Sequence, residues 1–270
     1  MRLTVKFSTQ ILNTSIHEID LQTEKKSYEK QFKPIEIEER SILLEKTRQL
    51  DFYQRKVVER GIQYARNLVK SSKDKNDVPK PQFTIVLGGA GSGKSTVINL
   101  LKQWIHLILK REGDNPDFPY VIVTAPTGTA ASNIRGQTLH SSLGFNFGNK
   151  HYSLSDKKRD ETRCLLKNLR FVIIDEVSMI RSDMLYQLDP RLRKITQKEN
   201  QMFGGISIFF MGDIMQLRPC QGSFIFDEPK CKDYLLAYQC KTHWDSFDVI
   251  LFEENHQQAE DHDYAKFLID

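Results

Sequence analysis

Five short apolar runs punctuate the chain: Phe83–Leu87, Tyr120–Val123, Phe171–Ile174, Ile206–Met211 and Val249–Phe252. Each is too short for a core helix and rich in β-branched or aromatic residues, which is the composition of strands. The runs are continuous rather than alternating, so both faces of each strand are buried, as in a parallel sheet. Helix-like segments lie between them, among them Ser95–Lys110 and Ser182–Lys194. Strands alternating with helices predict an α/β three-layer domain over residues 82–255. Upstream, Ile42, Leu43, Leu50, Tyr53, Val57, Val58, Ile62 and Ala65 recur at three- and four-residue spacing, which predicts a helical stretch within 36–70. The segment Ser71–Pro81 is charged, holds two prolines and reads as a linker. The division expected is therefore an N-terminal segment, 1–81, and an α/β domain, 82–270. Residues 1–35 show no usable pattern.

Composition narrows the class without naming a function. The 270 residues are 39% hydrophobic and 27% charged, typical of a globular chain. No apolar run approaches the roughly 20 residues of a spanning helix, so no membrane partner is expected. The net charge of +4 permits a polyanionic partner without demanding one. Residues 1–80 carry 17 Lys/Arg against 12 Asp/Glu, and residues 241–270 carry 2 against 8, a tail that reads as a solvated face. Four scattered cysteines suit a reducing compartment. Cys231, Cys240 and His243 have ligand chemistry, but their spacing fits no common zinc pattern. The first 17 residues contain Arg2 and Lys6 and no acid, a pattern shared by transit peptides and ordinary strands.

Chemistry enters directly after the first run, at Gly88-Gly89-Ala90-Gly91-Ser92-Gly93-Lys94-Ser95. This satisfies the phosphate-loop pattern G-x-x-x-x-G-K-[ST] in full. Its glycines let backbone N–H groups approach phosphate oxygens, and the helix beginning near Lys94 adds its positive N-terminal end. Lys94 is the expected ligand of the β- and γ-phosphates, Ser95 of Mg²⁺, and Thr96 extends the cradle. The ligand expected is a nucleoside triphosphate, ATP with Mg²⁺.

Two further strand ends complete the expected site, because ligands of open α/β sheets bind at carboxyl ends of strands. Asp175 and Glu176 follow Phe171–Ile174: Asp175 is placed for Mg²⁺, and Glu176 is the candidate general base. Asp213 and Gln216 follow Ile206–Met211 and are candidate sensors of the γ-phosphate. For Gln216 the alternative is a solvent-facing residue in the first turn of a helix.

Taken in order, GGAGSGKST, TAPTGTAASNIRGQTLHS, IDEVSM, GDIMQLRP and FEENHQQ resemble the ATPase half of the Pif-type (petite integration frequency) DNA helicases, superfamily-one motors related to RecD. The resemblance covers about residues 50–268. It implies a RecA-like P-loop fold with a mostly parallel sheet, ATP-driven unwinding of duplex DNA in the 5′-to-3′ direction, and work on single strands and duplex junctions in repair, recombination and telomere maintenance. A nuclear location is implied, with the mitochondrion as the alternative. Leu50–Val57 resembles the family's glutamine motif, making Gln54 either the adenine reader or a surface helix position. Thr124–Ser141 resembles its single-strand-binding motif, which nominates Thr127, Thr138, His140 and Ser141. Arg135, in the same segment, is open between phosphate and solvent.

Two departures qualify the resemblance. Gln257 stands where the family has the arginine that contacts the γ-phosphate, and glutamine lacks that fixed positive fork. The motifs of a second motor domain are not in these 270 residues. The alternative reading is thus a helicase remnant that binds ATP and DNA without productive unwinding.

Overall fold

The five apolar runs form five strands of one sheet, and a two-residue strand completes it. The computed structural model describes residues 32, 35–72, 78–145, 155–219, 223–227 and 243–253. The strands are β1 (Phe83–Gly88), β2 (Val121–Ala125), β3 (Gln137–Thr138), β4 (Phe171–Ile174), β5 (Ser207–Gly212) and β6 (Asp248–Phe252). Their spatial order is β3-β2-β4-β5-β1-β6, and every pairing is parallel. All the strands belong to one unit, Ile35–Asp114 with Phe118–Asp270; the other, Met1–Pro34 with Asn115–Asp117, lies almost wholly outside the described residues.

The helices are α1 (Arg40–Arg48), α2 (Phe52–Ser71), α3 (Lys94–Leu109), α4 (Gly128–Asn133), α5 (Leu139–Leu143), α6 (Asp156–Leu165) and α7 (Ser182–Thr196). Period-two alternation sends Val121, Val123, Phe171, Ile173, Phe209 and Met211 to the sheet face that shares a core with α1, α2 and α3. On the opposite face Ile174 and Phe210 meet Leu139 of α5 and Met184, Leu185 and Leu188 of α7. Sheet between two helical layers is the expected three-layer plan, with α1 and α2 inside the shared core.

The helical stretch expected over 36–70 is two helices rather than one. Asp51 breaks it: its side chain accepts the Gln54 N–H at 2.8 Å, and the Gln54 side chain accepts the Asp51 N–H at 3.3 Å. This reciprocal capping box satisfies two orphan donors and restarts the chain as α2. The pattern Asp-x-x-Gln was the available signal. The short elements β3, α4 and α5, in the Thr124–Ser141 segment, were not expected as regular structure. Arg60 of α2 bonds the Gln82 side chain at 2.8 Å and pairs with Asp248, tying α2 to the edge strand β6.

A buried charge cluster fixes the far layer. Asp189 of α7, 6% exposed, accepts from Arg193 Nε at 2.8 Å and from the Phe203 N–H at 2.5 Å. His243 Nε2, just upstream of β6, lies 3.0 Å from its other oxygen. Burial alone would raise the Asp189 pKa, but His243, Arg193 and the Phe203 N–H outweigh it and hold it below its ordinary value. A depressed acid stabilises the fold above the unfolded carboxylate pKa, and that stability is lost as pH falls through the folded value. Removing one partner of a buried pair leaves the others uncompensated, so Asp189→Ala is expected to cost about 3 kcal/mol. A urea melt at neutral pH checks it, and the gap from the parent should shrink in acid.

Candidate nucleotide and DNA sites

The loop between β1 and α3 turns because Gly91 and Gly93 adopt left-handed φ of 81° and 78°, conformations open to glycine without strain. Gly93 is the N-cap of α3, so the positive end of a 16-residue helix opens onto the loop. Gly89 and Ala90 are exposed, as are Ser95 and Thr96 on the first turn of α3, while Ser92 is buried. Lys94 folds back over the loop and donates to the carbonyl oxygens of Gly88 at 2.6 Å and Gly89 at 2.7 Å, with Ser92 Oγ at 3.4 Å.

Three carboxylates act on this ammonium through their charge. Burial lowers the Lys94 pKa, and the charges of Asp175, Asp213 and Glu176 oppose that shift. Asp175, 9% exposed at the end of β4, is raised, first by burial and then by Glu176 beside it, while a backbone bond and Lys94 pull the other way. Asp213 follows β5 directly. The sheet therefore brings Lys94, Asp175, Glu176 and Asp213 together from three adjacent strands, β4, β5 and β1. The carboxylates do not by themselves form a metal-holding cluster among the described residues; Asp175 beside the exposed Ser95 and Thr96 hydroxyls of the first α3 turn suits a cation that takes its other ligands from phosphate oxygens and water.

Glu176 has φ 57° and ψ 53°, left-handed for a residue with a full side chain. Such a conformation costs on the order of 1–3 kcal/mol, and it persists where surrounding structure enforces it. Asp213 braces its own loop, its carboxylate accepting the Met215 N–H at 2.9 Å and its carbonyl the Gln216 N–H at 3.2 Å. Gln216 is exposed on a turn, so the helical alternative for it is replaced by a non-helical loop.

Gln54 is not a surface position. It is 4% exposed, and its Nε2 donates to the Ser92 carbonyl at 3.0 Å, joining the capping box of α2 to the phosphate loop. Each end of the amide still keeps one donor or lone pair.

The other candidate group lies at the ends of β2 and β3, further along the same sheet edge. Thr127 caps α4 by accepting the Ala130 N–H at 3.3 Å, and Thr138 caps α5 by accepting the Ser141 N–H at 3.1 Å. Both threonines thus have a structural use, and their hydroxyl hydrogens remain able to donate. His140 is half-buried, and burial lowers its pKa; Ser141 is exposed beside it. Arg135 is exposed, with a left-handed φ of 49°. Gln257, Cys231 and Cys240 lie outside the described residues, as does the N-terminal stretch around Arg2 and Lys6.

Two groups at the carboxyl edge of a parallel sheet, one built for phosphate, fit the order of motifs. A family profile described as PIF1-like helicase matches residues 65–267. The chain belongs to the PIF1-like helicase family. Among curated relatives of this PIF1-like chain, the ATP-dependent DNA helicase PIF1 of Saccharomyces cerevisiae is 38% identical over 135 residues, 49% of this chain and 15% of the relative. The human ATP-dependent DNA helicase PIF1 is 33% identical over 144 residues, 53% of this chain and 21% of the relative. The chain thus spans about a fifth or less of these relatives. The crystal structure of Pif1 helicase from Candida albicans superposes with a TM-score of 0.56 at 26% identity, covering 82% of this chain and 43% of that one. No described helix is long and apolar enough to cross a membrane.

Proposed function

We propose that this chain is an ATP-hydrolysing motor domain of a 5′-to-3′ DNA helicase, coupling ATP with Mg²⁺ to movement on single-stranded DNA and at duplex junctions. The observation that carries it is the convergence of Lys94 with Asp175, Glu176 and Asp213 on a glycine loop at a helix N-terminus. Family membership supplies the DNA.

In this reading residues 82–270 are the first motor domain, with 1–81 its N-terminal segment. Lys94 exchanges the Gly88 and Gly89 carbonyls for β- and γ-phosphate oxygens, while the loop from Gly88 to Thr96 cradles the chain of phosphates. Ser95 and Asp175 would hold the cation, which would supply positive charge against the phosphate oxygens. Glu176 takes the proton of the attacking water. Asp213 and Gln216 read the γ-phosphate. Gln54 braces the loop through Ser92 and offers its remaining donor and lone pair to the adenine edge. Thr127, Thr138, His140 and Ser141 hold the single strand through phosphate and ring contacts indifferent to base identity, which suits a translocating motor. Roles in repair, recombination and telomere maintenance follow from the family, with the nucleus as the proposed location and the mitochondrion as the alternative.

Gln257 in place of the family's arginine favours a second reading, a remnant that binds ATP and DNA without productive unwinding. Steady-state ATP hydrolysis with and without single-stranded DNA separates the two. Severalfold stimulation by DNA is expected. Turnover indifferent to DNA would remove the helicase reading, and tight ATP binding with no turnover would select the remnant.

A further inference from the structure

Gly212 ends β5 with φ of +150°, a region that L side chains rarely adopt. Its surroundings are as restrictive as its conformation. A β-carbon built on Gly212 would sit 2.7 Å from the Val177 nitrogen, 3.1 Å from Val177 Cγ1 and 3.4 Å from the Glu176 carbonyl carbon. The peptide between Glu176 and Val177 therefore rests on the bare α-carbon of Gly212. That peptide opens a single 3₁₀ turn, Val177–Met179, closed by Met179 N–H to Glu176 O and Ile180 N–H to Val177 O, both at 3.0 Å. On its other side Gly212 leads straight into Asp213 and the braced turn to Gln216.

We propose that Gly212 is a positioning residue for water activation: its bare α-carbon, seated on the Glu176–Val177 peptide, sets where the Glu176 carboxylate stands and locks that turn to the Asp213–Gln216 loop. The inference rests on the reading of Glu176 as the general base. Packed atoms at van der Waals contact do not compress, so a shift of the Asp213–Gln216 loop is passed directly to the turn carrying Glu176. A strand end bearing the phosphate sensor and a turn bearing the base then move as one body. The left-handed backbone of Glu176 gains a cause, because the turn is shaped against the surface that Gly212 leaves open.

The test is Gly212→Ala in the full chain. The added methyl displaces the Glu176–Val177 peptide, and misplacement of a reacting group by about 1 Å costs on the order of 10²-fold in rate. The expected result is a kcat reduced by about that factor, with affinity for a fluorescent ATP analogue reduced far less, since the atoms the added methyl meets belong to Glu176 and Val177 and not to Lys94 or the glycine loop. In a Glu176→Gln background the same substitution should cost almost nothing further, because residues acting as a unit are non-additive. Amide exchange supplies a readout independent of turnover: Met179 and Ile180 should exchange faster in Gly212→Ala. Val177→Ala, which removes the Cγ1 side of the same seat and leaves the glycine and the peptide unstrained, should lower kcat in the same sense and keeps the test alive if Gly212→Ala does not fold. Wild-type kcat and exchange in Gly212→Ala, unchanged kcat in Val177→Ala, or the full cost persisting beside Glu176→Gln would each overturn the inference. Absence of Lys94-dependent turnover in the parent chain would instead overturn the reading beneath it.

Discussion

Replacing Lys94 with alanine is expected to lower ATP turnover by about 10²–10³-fold in kcat/KM, the scale of removing a preorganised electrostatic contact to a developing charge. Asp175, Asp213 and Glu176 are all close enough to oppose the burial-driven fall in the Lys94 pKa. Without the ammonium, those carboxylates confront a polyanionic substrate with the helix N-terminus and the cation alone. Its present partners, the carbonyls of Gly88 and Gly89, lie within the loop itself, so the lysine is already poised over the place where phosphate oxygens would replace them. The fold should survive, because those bonds are local to the loop and none of them is fully buried. Steady-state ATPase assays and titration of a fluorescent ATP analogue check both halves: turnover and affinity fall together, and thermal melting stays put. Arginine should not rescue the site, since its planar fork does not fit a space shaped for a compact point charge. Turnover left intact in Lys94→Ala would show that any activity measured came from another protein.

What the sequence made legible, and what it did not, divides along the line between local and non-local causes. The runs at 83–87, 171–174 and 206–211 announced buried parallel strands because burial on both faces removes alternation, and the observed strands lie within one or two residues of them. The glycine loop was legible because its pattern is contiguous. The break at Asp51 was equally local, a capping box written as Asp-x-x-Gln. Gln54 was harder. Helical spacing could not decide between a surface residue and a buried one, because its partner, the Ser92 carbonyl, is 38 residues away. The same holds for Asp189, whose partnership with His243 joins α7 to the approach to β6 across 54 residues. The steric seat of Gly212 was invisible for a further reason: a glycine at a strand end reads as punctuation until the atoms crowding its α-carbon are known. Site residues at strand ends were foreseen as chemistry; the contacts that aim them come from other strands.

Glu176→Gln is the second large effect expected, and it separates chemistry from binding. Loss of a general base costs about 10²–10⁴-fold in the chemical step, and here the loss should fall on kcat alone. Glutamine matches glutamate in length and in backbone preference, so the left-handed turn at φ 57° is not further strained and the 3₁₀ turn after it should persist. Binding should hold, or tighten slightly, because the amide removes one of the negative charges beside Asp175. That neighbour matters: Glu176 helps raise the Asp175 pKa, so the substitution leaves Asp175 more readily ionised and the cation site at least as strong. A defect confined to kcat, with ATP and DNA affinities retained, would be the signature of a site that assembles its substrate and lacks only the proton acceptor. Equal losses in affinity and turnover would instead make Glu176 part of the binding shell. An unchanged kcat would move the base elsewhere along the sheet edge, to Asp213 or to a residue outside those described. The comparison with Lys94→Ala sharpens the result, because the two residues carry opposite charges at the same site. One variant should lose its grip on the triphosphate, and the other should hold it intact.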